Sequence, residues 1–269
     1  MKCPKCQREN ESTAKVCAYC GAPLQNDAVA ANGEKALAGA VVLGKEAREK
    51  RLKEAVDPSA IISVKMYNGL IGGVLLWGLL INYLLCWKVG YYKTLFPNMS
   101  PVAFLIGYAV VAFIGIFITT QAKTPAVSFL GFNLVVLPFG LVISTIVKSY
   151  GGIESTVVTQ AFLYTLLICA AILATAIVFP NAFSKLGGML GAVLFGLILC
   201  EVVLMIFRVR QQWTSWIAAV VFSLYLGYDI YRSQQFPKTV KNAIASAMDI
   251  YLDIANLFIR LLRILGKKD

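Results

Sequence analysis

From Pro101 to Val147 the chain reads PVAFLIGYAVVAFIGIFITT, QAKTP, AVSFLGFNLVVLPFGLVISTIV, and Lys123 is the sole charged residue in it. Each of the two apolar runs has about 20 residues, enough at 1.5 Å per helical residue to cross roughly 30 Å of hydrocarbon. The pattern extends outward from here. Seven apolar segments lie near 66–87, 101–121, 126–147, 156–179, 186–207, 212–231 and 241–265. Turn residues separate them: Phe96-Pro97-Asn98, Lys123-Thr124-Pro125, Gly151-Gly152, Pro180-Asn181 and Phe236-Pro237. Trp87, Tyr91, Tyr92, Trp213, Trp216 and Tyr231 gather at segment ends, where an aromatic belt belongs. The composition agrees: 58% of residues are apolar and 14% charged, against about a quarter charged in soluble domains. These features predict an all-α membrane protein over 65–269.

Two units precede the spans, 1–24 and 25–64. The second is Ala-rich and then charged, and KEAREKRLKEAV (45–56) reads as a solvated juxtamembrane helix ended by Asp57-Pro58. The first twenty residues are polar and cysteine-bearing and do not read as a signal peptide. Basic residues set the expected orientation. With a cytoplasmic N-terminus the inner side holds the eleven Lys/Arg before Met66 together with Lys123, Lys185, Arg232, Lys238 and Lys241. The outer side holds Lys88, Lys93, Lys148, Arg208 and Arg210. That is the positive-inside bias. Arg260, Arg263, Lys267 and Lys268 do not fit it: seven spans put the C-terminal tail outside, whereas a re-entrant last segment returns it inside.

Cys3-Pro4-Lys5-Cys6 and Cys17-Ala18-Tyr19-Cys20 have the C-x2-C-x10-C-x2-C spacing of two zinc knuckles. Four thiolates make a closed tetrahedral Zn²⁺ site, structural rather than catalytic. So small a unit lacks a core of its own, so metal binding supplies its folding energy. The pattern resembles the zinc ribbons that precede membrane spans in many bacterial proteins, and its expected use is to bind a protein partner. Nucleic acid is not an expected partner. Cys86, Cys169 and Cys200 lie in apolar spans and read as small hydrophobes.

The chain has no histidine, which excludes histidine-based hydrolysis. Between Met66 and Leu265 the acids are Glu154, Glu201, Asp229, Asp249 and Asp253. On a helix, Asp249, Asp253, Asn256, Arg260 and Arg263 fall within an arc of roughly 80°. This narrow polar stripe on an otherwise apolar helix predicts a central helix whose polar face is hidden among others or lines a path; the alternative is an interfacial helix. Asp229 ends the sixth span and can face an acid on the seventh. Two close carboxylates cannot both ionise cheaply, so such a pair shares a proton and titrates as a unit.

At these residues, VFSLYLGYDIY (221–231) and AMDIYLDIANLFIRLLRILG (247–266), the sequence resembles the Bax inhibitor family of membrane proteins, with weaker similarity back to about Lys65. The resemblance implies a seven-helix transmembrane bundle with the last helix central, in a bacterial plasma membrane, and a pH-sensitive calcium leak. It implies that Asp229 and Asp253 are the hydrogen-bonded gate pair of bacterial members. Asp249 stands where the family motif has a small or apolar residue, and hairpin symmetry about Pro237 brings Asp249 rather than Asp253 to the depth of Asp229. Bacterial relatives latch the pair with an arginine late in the second helix; here that region reads ITTQAK, and Lys123 is its base.

Two other functions compete with a Ca²⁺ leak. One is a non-transporting membrane scaffold whose zinc ribbon recruits a partner. The other is an intramembrane aspartyl protease, but Tyr251-Leu252-Asp253 is not the Gly-x-Gly-Asp such enzymes need, and their Pro-Ala-Leu motif is absent. Gly39 to Lys45 (GAVVLGK) falls short of a phosphate loop because Glu46 replaces the Ser/Thr. With no nucleophile motif present, no enzyme is expected.

Overall fold

A computed structural model of the protein describes residues 57–206 and 212–266, together with Glu9. The proposed zinc ligands and the 45–56 segment lie outside the described residues. Eight α-helices follow in order: α1 Val64–Lys88, α2 Pro101–Gln121, α3 Pro125–Ser149, α4 Thr156–Val178, α5 Pro180–Ser184, α6 Gly187–Ile206, α7 Gln212–Ser233 and α8 Val240–Leu265. Each predicted apolar segment holds one long helix. The short α5, which the sequence reading placed in a turn, is the eighth.

Hydroxyl caps start several of these helices. Ser63, Ser100, Thr124 and Thr239 accept from the backbone N–H groups of Met66, Ala103, Val127 and Asn242 at 3.2–3.4 Å. Pro101 and Pro125 follow two of the caps and fill the first helical position, where no N–H is needed. The α3–α4 turn depends on Gly151 and Gly152, at φ +100° and +84°, which side chains rarely adopt.

Among the described residues, four helices are long and apolar enough to cross a membrane: α1, α2, α3 and α4. In α6 the apolar stretch among the residues described in full is Gly187–Leu197. α7 and α8 carry charge, which lowers their hydropathy. Large apolar side chains point outward from the apolar helices, among them Leu76, Phe113, Phe117, Leu167 and Ile177. An apolar surface this extensive has no place in water and matches lipid. The chain is an integral membrane protein.

α8 has the opposite character. It packs against α1, α3, α4 and α7 and touches α2. Every residue of α8 is buried or half-buried apart from Arg263. The apolar flanks of the stripe are covered by protein, which the alternative of an interfacial helix does not require. Polar contacts fasten α8 in place. The Tyr67 hydroxyl of α1 donates to the Ser233 carbonyl at 3.0 Å and meets Ser246 Oγ at 3.2 Å. Farther along α1, Asn82 Nδ2 donates to the Tyr251 hydroxyl at 2.9 Å. α2 and α3 approach most closely at Gly115 and Gly131, where a Cβ on either would come within 2.7 Å of the other's carbonyl oxygen. Thr119 and Ser128 reinforce this crossing by donating to each other's backbone carbonyls at 3.3 Å.

Candidate functional site

The α7–α8 pair gathers three carboxylates and one guanidinium. Asp229 and Arg232 lie one turn apart near the C-terminal end of α7, and Asp249 and Asp253 one turn apart in the middle of α8. The helices are antiparallel, so the two steps match. Arg232 Nη2 donates to Asp249 Oδ2 at 2.5 Å. One turn deeper, the same antiparallel register brings Asp253 level with Asp229, and Asp229 Oδ1 and Asp253 Oδ2 are both buried. The same Nη2 lies 3.3 Å from Asp229 Oδ1. Residue exposures are 7% for Asp229, 6% for Asp253 and 8% for Arg232, while Asp249 is half-buried.

This register differs from simple hairpin symmetry about Pro237. α7 stops at Ser233, and Gln234–Thr239 form a linker before Thr239 caps α8. A hairpin centred on Pro237 would set Ala245 level with Asp229, whereas the Arg232–Asp249 contact places α8 about two turns from that position, which brings Asp253 level with Asp229 and leaves Asp249 for Arg232. Both acids on α8 touch the cluster, with different partners.

Arg232 is the residue the sequence reading missed. It was counted only as a basic residue at the inner end of a span. Its position three residues after Asp229, on the face that α8 covers, is the signal that could have found it. Lys123, the base expected near the pair, is exposed beyond the end of α2. The rings of Tyr228 and Phe236 lie 5.5 and 5.8 Å from the Arg232 guanidinium and shield it further. On α4, Cys169 lies within electrostatic reach of Asp253.

The remainder of the α8 stripe grades outward. Asn256 is half-buried and donates from Nδ2 to the Leu252 carbonyl of its own helix at 2.8 Å. Arg260 is half-buried and Arg263 exposed. Cys86 and Cys169 are half-buried and Cys200 exposed, all three as free thiols. Among the described residues no group of three or more Cys, Asp or Glu is arranged to hold a metal ion.

Chemically, the cluster can hold a proton between Asp229 and Asp253 and keep a buried cation neutralised beside them. It offers no nucleophile with a positioned base.

Comparison with known proteins places this cluster in a family. A family model described as "Inhibitor of apoptosis-promoting Bax1" matches residues 61–269, and a zinc-ribbon domain model matches residues 2–24. No curated protein matches the chain. The 61–269 match covers every described helix and most of the sequence, so the chain belongs to the Bax inhibitor family and carries a zinc-ribbon domain ahead of the family's membrane domain.

Proposed function

We propose that the protein is a pH-sensitive cation leak, with Ca²⁺ as the ion, gated by Asp229 and Asp253. One observation carries this reading. Two carboxyl groups, Asp229 and Asp253, lie level on neighbouring helices at 7% and 6% exposure, inside a protein whose outer surface is apolar. Charge in such a place is costly and calls for a use. With a shared proton the pair ties α7 to α8. When the proton leaves, two like charges repel, the tie opens, and their oxygens attract a hard cation. Two carboxylates are too few for the six to eight oxygens of a tight Ca²⁺ site, so passage fits better than storage. In this reading the seven long helices all sit in the membrane, α8 is the central one, and the N-terminus is cytoplasmic. The zinc ribbon then lies where thiolates stay reduced, with Cys3, Cys6, Cys17 and Cys20 holding one structural Zn²⁺.

Purified protein in liposomes tests the transport claim. Ca²⁺ flux should exceed that of protein-free vesicles and rise as pH is raised from about 5 to about 8, the sign set by loss of the shared proton. No flux at any pH in that range sinks the reading. A scaffold role is the second reading, favoured by the Arg232–Asp249 ion pair that ties α7 to α8; absent flux together with specific capture of a partner by the zinc ribbon would establish it. Elemental analysis should find one zinc per chain, and zinc-free protein contradicts the ribbon assignment. Single cysteines placed at Ser12 and Ser149 should be closed and open, respectively, to an external label. The reverse overturns the orientation.

A further inference from the structure

The proposed gate uses Asp229 and Asp253 and leaves Arg232 and Asp249 without a task. Arg232 is buried, and an arginine does not give up its proton inside a protein. The groups acting on it are Asp229 and Tyr228 from its own helix and Asp249 and Asp253 from α8. On α4 the titratable group within electrostatic reach of Asp253 is Cys169, and the Phe236 ring of the linker adds no charge. A buried guanidinium obliges at least one neighbouring carboxylate to stay ionised. Geometry selects which one. Asp249 makes the shorter contact with Nη2, 2.5 Å against 3.3 Å for Asp229, and its side chain is 22% exposed against 8%. Charge on Asp249 is therefore both better paired and better solvated.

We propose that Arg232 and Asp249 form a standing ion pair, a clamp that positions Asp229 and confines proton exchange to Asp229 and Asp253. The proposal rests on the reading that this pair exchanges a proton, but not on the pair passing ions. Arg232 and Asp249 are positioning residues: they act on the pair by charge and by holding one end of α7 against α8. Removing Asp249 frees the guanidinium for Asp229, which then keeps its charge to lower pH. Removing Arg232 leaves three carboxylates together without a counter-ion, and they take up protons at higher pH. The two deletions thus act in opposite directions, which a purely structural role does not produce.

Infrared difference titration of the full chain in detergent micelles reads the protonated-carboxyl band directly, with no dependence on transport. Relative to wild type, Asp249→Asn should lower the midpoint of that band by about one pH unit and Arg232→Gln should raise it by about one unit, while Arg232→Lys should stay near wild type because it keeps the charge. Midpoints unmoved in Asp249→Asn, or moved in the same direction by Asp249→Asn and Arg232→Gln, overturn the clamp. Should Arg232→Gln fail to fold, Asp249→Asn against wild type decides by itself: a lowered midpoint upholds the clamp, and any other result overturns it. Opposed shifts in a protein that passes no Ca²⁺ would remove the leak reading and leave the clamp standing.

Discussion

α2 and α8 are of similar length and oppositely made. α2 has no charged residue between Pro101 and Gln121 and turns Val102, Phe113 and Phe117 outward. α8 carries Lys241, Asp249, Asp253, Arg260 and Arg263, yet all of it but Arg263 is buried or half-buried. In water the arrangement would be the reverse. The difference shows what drives each helix to its place. Lipid accepts the apolar helix on all sides, whereas the charged helix needs protein around it to satisfy or pair its polar groups.

Substitutions that break this contrast should differ in cost, read as the thermal unfolding midpoint of protein in detergent micelles. The largest loss is expected for Arg232→Ala, which leaves Asp229 and Asp249 without their shared cation, at about 3–5 kcal/mol. A drop no larger than that of a surface change would show that the guanidinium is not enclosed. Next is Gly131→Ala, whose added Cβ would meet the Gly115 carbonyl and Thr119 and force α2 from α3, at about 1–3 kcal/mol. Tyr251→Phe should cost about 1 kcal/mol, because Asn82 loses its partner inside the bundle. The smallest effect is expected at Phe113, 72% exposed on α2: Phe113→Ala should stay within about 0.5 kcal/mol. A large loss there would mean that protein rather than lipid covers that face.

The same contrast explains what the sequence made legible. The outer helices announce themselves by unbroken hydropathy, and their ends by Ser-Pro and Thr-Pro caps at Ser100-Pro101 and Thr124-Pro125. The last helix was legible for another reason: its polar residues repeat at steps of three and four, which fixes one face. Which partner each polar residue meets was not legible, because it depends on the register between α7 and α8. That register follows from where α7 stops and from the path of Gln234–Thr239, neither of which periodicity records. Asp249 and Asp253 could not be told apart as partners of Asp229 for this reason, and Arg232 passed as a topological charge. Asn82, a polar group in an apolar run, and Tyr251, between the two acids of α8, were invisible as a pair because 169 residues separate them.

The central claim is that Asp229 and Asp253 act as one proton-holding gate. It is tested most directly by Ca²⁺ flux into liposomes from about pH 5 to about pH 8 for wild type, Asp229→Asn, Asp253→Asn and Asp249→Asn in parallel. An amide does not titrate, so Asp229→Asn and Asp253→Asn should each flatten the pH profile, whereas Asp249→Asn should keep the profile and shift it to lower pH. Wild-type profiles retained in both Asp229→Asn and Asp253→Asn, or a profile flattened by Asp249→Asn alone, would contradict the account.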